Sequence, residues 1–168
     1  MRGLLLACAA LLLAACAPEL DWREVAVPEA HFSVLLPGRA QRESRTLDTA
    51  AGALTMTLYA SSLKQGTMGV AYTDYPARTL AAERGRAAVD AARDALLRNI
   101  GATAHSEQEV RIAGEPGREI YAEGRAGVLK ARFVVAGDRL YEIAYVGTRG
   151  SVAMADIDLF LTSFKLLR

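Results

Sequence analysis

A chain of 168 residues with 52% hydrophobic and 23% charged side chains has the make-up of one ordinary globular domain, long enough to bury its own core. Twenty basic side chains stand against 19 acidic ones, and a net charge of +1 gives no basic excess of the kind that marks a nucleic-acid or acidic-membrane binder. Both cysteines, Cys8 and Cys16, fall near the start, so the rest of the chain has no thiol for catalysis, metal binding or a disulfide.

The first element is MRGLLLACAALLLAAC. Arg2 precedes an uncharged run from Gly3 to Ala15, 13 residues long. A membrane-spanning helix needs about 20. A basic start, a short apolar stretch and small residues at its end describe a secretory signal over residues 1–15. Leu13-Ala14-Ala15-Cys16 resembles the lipobox of bacterial lipoproteins: an aliphatic residue, two small ones, then the cysteine that is acylated. The resemblance implies cleavage before Cys16, a thioether-linked diacylglycerol on its sulfur and, in many Gram-negative bacteria, a further amide-linked acyl chain. One acyl chain holds a protein only marginally, whereas two or more hold it stably. Ala17 stands where an aspartate would mark retention in the inner membrane. In a Gram-negative host the resemblance therefore implies an outer-membrane anchor facing the periplasm.

Residues 16–30 read as anchor and linker, with two prolines and room for one short edge strand at 22–27. From residue 31 the chain reads as a single domain to residue 168. HFSVLLPG (31–38) is an apolar strand closed by a Pro-Gly turn. RESRTLDTAAGALTMTLYASSL reads as a hairpin around Ala50-Ala51-Gly52. In its second arm Met56, Leu58 and Ala60 alternate with Thr55, Thr57, Tyr59 and Ser61, which predicts a half-buried strand. TMGVAYTDY (67–75) repeats the alternation and should pair antiparallel with it.

The period changes over 79–101, which predicts a helix. Thr79 can cap its start, Glu83 suits the positive end of the dipole, and Gly101 can close it. Ala81, Gly85, Ala88, Val89, Ala92, Leu96 and Ile100 share one arc. The two-residue period then returns in four segments separated by Gly-rich turns, with Gly137-Asp138 a tight hairpin signal. Leu129, Ala131, Phe133 and Val135 should face one way, Lys130 and Arg132 the other. RLYEIAYVG is apolar on both faces, as a central strand is. The closing SVAMADIDLFLTSFKLL predicts a second helix with Ala153, Ile157, Phe160, Leu161 and Phe164 inward. The expected class is α+β, a mostly antiparallel sheet with two principal helices packed on it.

Three of these segments resemble the PsbP-like group: Phe32 to Pro37, the Arg139–Val146 strand, and Asp156 to Lys165. That group includes the photosystem extrinsic protein PsbP, the Ran-binding Mog family and bacterial envelope lipoproteins of the DcrB type. The resemblance implies a PsbP-like fold over most of residues 22–168 and carries no shared catalytic set to transfer. Fold does not fix function.

Little in the sequence points to catalysis. His31 and His105 are far apart and lack metal-ligand spacing. A G-x-S-x-G nucleophile elbow is absent. AGEPGRE and EGRAGV join strands to strands, so they are turns and not phosphate loops. Glu107 and Glu109 share one strand face and could serve Ca²⁺ or acid/base chemistry, or simply be solvated. Asp156 and Asp158 lie on opposite sides of a helix. Tyr59, Tyr72, Tyr75, Tyr141 and Tyr145 fall on strands, where they could form a binding face or reflect strand propensity. No catalytic, cofactor-binding or metal residue is assigned, and Cys16 is the one site residue. The expectation is a non-enzymatic envelope protein, tethered to the membrane through Cys16, that serves as an accessory module for an envelope protein partner and binds no nucleic acid. The alternative is a carrier of a small ligand or lipid with a pocket between sheet and helix.

Overall fold

The computed structural model describes residues 20–49, 52–81, 83–103 and 105–167; the signal and Cys16 lie outside them. In chain order the elements are β1 (Trp22–Val27), β2 (Phe32–Pro37), β3 (Gln41–Thr49), β4 (Gly52–Leu63), β5 (Gly66–Asp74), α1 (Glu83–Ile100), β6 (His105–Ile112), β7 (Glu115–Gly124), β8 (Gly127–Ala136), β9 (Arg139–Gly147), α2 (Met154–Ser163) and β10 (Lys165–Leu166). This is the expected α+β class, but with two sheets where one was expected. Seven strands run in the order β3-β4-β5-β9-β8-β7-β6, every neighbour antiparallel. A small sheet, β1-β2-β10, is also antiparallel.

Local chemistry accounts for most of the large sheet. The Gly137-Asp138 turn joins β8 to β9 with Ala136 opposite Arg139. β9, apolar on both faces, takes the middle position, with three strands on either side. The two faces of the sheet meet different layers. On one, Met68, Val70, Tyr72, Tyr141, Ile143 and Tyr145 pack against Phe32 and Val34 of the small sheet and Phe160 and Phe164 at the C-terminus. On the other, Leu129, Ala131, Phe133 and Leu140 pack against Val89 and Ile100 of α1.

The second arm of the first hairpin carries buried residues on both faces, where a half-buried strand was expected. Thr57 and Ser61 are buried and Tyr59 packs against the core, because their face is the one that the small sheet covers. Met56 is buried on the opposite face. Residues on both faces of β4 are therefore buried, which the alternation of polar and apolar residues does not show.

α1 starts at Glu83, and Thr79 does not cap it. Asp138 fixes the preceding segment: its carbonyl accepts the Tyr75 N–H at 2.8 Å and its Oδ1 accepts the Arg78 N–H at 2.6 Å. The Thr79 N–H turns back to the Pro76 carbonyl at 3.0 Å, and Ala81 is exposed. At the other end Gly101, with φ of 64°, closes the helix: Ala102 N–H reaches the Leu97 carbonyl and Gly101 N–H the Arg98 carbonyl, both at 3.0 Å.

α2 ends at Ser163, earlier than the pattern predicts. Phe164 is extended, and Lys165–Leu166 pairs with β2. The exposed edge of β2 offers backbone partners that a continued helix would leave unmet: Leu167 N–H donates to the His31 carbonyl at 2.8 Å. Phe164 keeps its inward position by stacking on Phe32, 5.8 Å between centroids, while Ala153 lies exposed before the helix.

Candidate functional site

The histidines stand apart. His31 follows a short 3-10 turn at Pro28–Ala30, with φ of 53°, and is exposed. His105 opens β6, where its Nε2 lies 3.0 Å from Glu107 Oε2. Glu107 also pairs with Arg118 at 2.8 Å and Arg93 at 3.2 Å. Burial alone would raise the Glu107 carboxyl, but the His105 hydrogen bond and the two guanidinium groups outweigh it and hold the carboxyl below its ordinary value. Asp90 of α1 joins the same group through Arg93 and Arg118. These pairs fasten α1 to β6 and β7.

Glu109 shares the strand face of Glu107 but lines a separate cavity of about 540 Å³ beside the start of α1, with Val89, Arg118 and Phe133. Asp158 pairs with Lys130, and Lys130 and Arg132 both reach Glu119, at 3.6 and 2.6 Å. Asp156 stands in the first turn of α2. Among the described residues no group of three or more His, Cys, Asp or Glu side chains could hold a metal ion. No helix among them is long and apolar enough to cross a membrane.

The five strand tyrosines divide. Tyr59, Tyr72 and Tyr141 surround Phe32, at 5.9, 6.5 and 6.2 Å between centroids. Tyr141 donates to the Ala30 carbonyl at 2.8 Å, and Tyr145 lies 2.9 Å from the Ser151 hydroxyl. These four fill the interior between the two sheets and the C-terminus. Tyr75, expected on a strand, lies one residue past the end of β5 and faces the other way, toward α1.

On that side the sheet is not fully covered. α1 lies over β7, β8 and β9, leaving β3, β4 and β5 without a helix above them. The result is a cleft of about 740 Å³ along the flank of α1. Its sheet wall carries Leu47 and Met56, with Thr73, Leu140 and Glu142 deeper in. Its helix wall is Ala88, Ala91, Ala92 and Ala95, followed by Leu96. Tyr75 and Leu80 close the end near the turn. The helix can approach the sheet because its inner face is made of small residues, and those same small residues leave the flank open.

Glu142 is the exception in this lining. Its neighbours on the same face of β9 are Leu140, Ala144 and Val146, all packed in the apolar cluster beneath α1. The carboxylate forms no hydrogen bond or ion pair among the described residues. Burial pushes its pKa up to about 7, and the positive charge of Arg45 only partly opposes the rise. Tyr75 is also raised, first by burial and then by the Glu142 charge. Arg45, Arg84, Arg98 and Asp48 stand exposed around the mouth. An apolar cleft with one buried-side carboxyl and charges confined to its rim can hold a small ligand and orient it. Sequence reading passed over Glu142. The signal was a single acid inside RLYEIAYVG, a segment otherwise apolar on both faces.

No protein-family model matches the chain. No curated protein matches it either. Among solved structures it is similar to the solution structure of cyanobacterial PsbP (CyanoP) from Synechocystis sp. PCC 6803, with a TM-score of 0.58 and 8% sequence identity, over 92% of this chain and 99% of that one. At that identity the likeness is one of fold. The chain has a PsbP-like α+β fold, mostly antiparallel sheets with two helices, as the segments at Phe32–Pro37, Arg139–Val146 and Asp156–Lys165 implied.

Proposed function

We propose that this protein is a lipid-anchored component of the cell envelope that binds a small ligand with an apolar body, without turnover, in the cleft between α1 and the β3–β5 side of the large sheet. The observation that carries this reading is the cleft itself. About 740 Å³ lies within the size range of small-ligand sites, roughly 300–1,000 Å³, and its lining is mostly apolar, with Glu142 inside and Asp48 and three arginines exposed at the mouth. That is the arrangement expected of the carrier alternative. The accessory-module reading has weaker support. Met154 and Leu159 are exposed on α2, but two exposed apolar side chains are ordinary for a protein surface.

The anchor belongs to the same proposal and rests on the lipobox-like Leu13-Ala14-Ala15-Cys16 after a short apolar run. A tethered carrier of the DcrB-type lipoprotein kind would hold its ligand close to the membrane, in the outer membrane facing the periplasm in a Gram-negative host. The test is to purify the native protein and its Cys16→Ser variant from envelopes, extract each with organic solvent and identify small molecules by mass spectrometry. The proposal expects acyl modification of the native form only, membrane release of the variant, and a small molecule with an apolar body in near-stoichiometric amount. An empty extract together with one dominant cross-linked protein partner would replace it with the accessory-module reading.

A further inference from the structure

We propose that the ligand is an amphiphilic amine, its apolar body lying along the alanine wall of α1 and its protonated nitrogen donating to the Glu142 carboxylate. This inference rests on the reading of the cleft as a small-ligand site and names the chemistry that the site selects.

Three observations lead to it. First, Glu142 is not needed by the fold. It occupies the central strand on a face where Leu140, Ala144 and Val146 pack beneath α1, so an apolar residue would suit the position. Second, its carboxylate has no partner among the described residues, whereas the buried Glu119 of the same sheet is paired with Arg132 and Lys130. A charge drawn away from water needs a compensating donor, and here the chain supplies none. Third, the carboxylate lines the cleft and not a closed void, so a donor can come from a ligand.

The rim cations do not favour an acid in its place. Arg45, Arg84 and Arg98 are exposed, so water and salt screen them, and Asp48 stands among them. Glu142 is half-buried inside the cleft, less open to water and salt than the rim arginines, and an anion seated there would face its like charge. A nitrogen cation removes the isolated charge, and an apolar body of moderate length covers the alanine and leucine side chains that the cleft leaves open.

The experiment is isothermal titration of the purified full chain with octylamine, octanol and octanoate, three probes that share one tail and differ in head group. The wild type should bind octylamine about tenfold or more tightly than octanol. Glu142→Gln should abolish that preference, while Glu142→Asp should retain part of it. Circular dichroism of each variant checks that the fold persists. Octanol or octanoate binding as tightly as octylamine, or a preference that survives in Glu142→Gln, overturns the amine assignment while leaving the cleft as a ligand site. If none of the three binds, both the assignment and the proposed carrier function fall.

Discussion

Tyr141 and Glu142 are adjacent on the central strand and serve opposite layers. Tyr141 is buried on the small-sheet side, where its hydroxyl donates to the Ala30 carbonyl at 2.8 Å. Glu142 faces the α1 side and lines an open cleft with no partner among the described residues. One step along β9 thus passes from a filled, hydrogen-bonded interior to the candidate site, because successive strand side chains point to opposite faces.

The filled side should behave as a core. Phe32 is fully buried and touches Tyr59, Tyr72, Tyr141 and Phe164. Phe32→Ala should cost about 3–5 kcal/mol in denaturant unfolding. Tyr141→Phe keeps the ring and loses one hydrogen bond, so it should cost only about 1 kcal/mol. A similar loss in both would mean that the two sheets are held chiefly by that bond and not by packing.

Ser61 offers a change in the other direction. Its side chain is 1% exposed and its hydroxyl makes no hydrogen bond among the described residues. Ser61→Ala should stabilise the protein by about 1 kcal/mol, read from the shift in the urea midpoint at unchanged slope. A destabilised Ser61→Ala would show that the hydroxyl is satisfied in solution.

The pH dependence follows from Glu142. Its pKa is about 7 in the folded chain, against 4.5 as its ordinary value. Below the lower value the carboxyl is neutral in both states and costs nothing. As pH rises from about 4.5 to about 7, the unfolded chain ionises first, so this group's contribution to stability falls, by about 1–3 kcal/mol in all, and then levels off. Glu142→Gln should remove that fall and be the more stable form above pH 7. Octylamine binding should run the opposite way and tighten as pH rises through 7, since pairing requires the ionised carboxylate. The charged and titratable groups around it are Arg45 on β3, Asp48 at the mouth, Tyr75 beyond β5, and Arg84 and Arg98 on α1. A carboxyl resonance of Glu142 that titrates near 4.5 by NMR would contradict this.

The seam between the end of α1 and β7 should be intolerant of added bulk. A Cβ at Gly124 of β7 would collide with the Ile100 carbonyl at the end of α1. Gly124→Ala should therefore cost about 1–3 kcal/mol and speed amide exchange in the last turn of α1. Ala91 lies at the open flank, so Ala91→Trp should leave stability within about 0.5 kcal/mol of wild type and block ligand binding.

What could be read from the sequence was local. The β3–β4 hairpin, the β6–β9 meander and the central place of β9 follow from a period of two, from Gly137-Asp138 and from a strand apolar on both faces. Long-range pairing was not legible: nothing in FSVLLP says that its partners are residues 22–27 and 165–166. The tyrosines show the same limit, since strand periodicity cannot tell that Phe32 and Phe164 will cover Tyr59, Tyr72 and Tyr141 and leave Tyr75 on the other side. Glu107 and Glu109 drew notice as a pair, yet three neighbours satisfy the first and the second lines another cavity. Glu142 drew none, because its significance lies in the missing partner, which only packing reveals.

The most direct test of the central claim is methyl-detected NMR of the full chain titrated with octylamine. Binding in the cleft should move the methyl signals of Leu47, Met56, Ala91, Leu96 and Leu140, and leave Val70 and Ile143 on the opposite face unmoved. Shifts confined to the small-sheet side, or no saturable shifts at all, would contradict it.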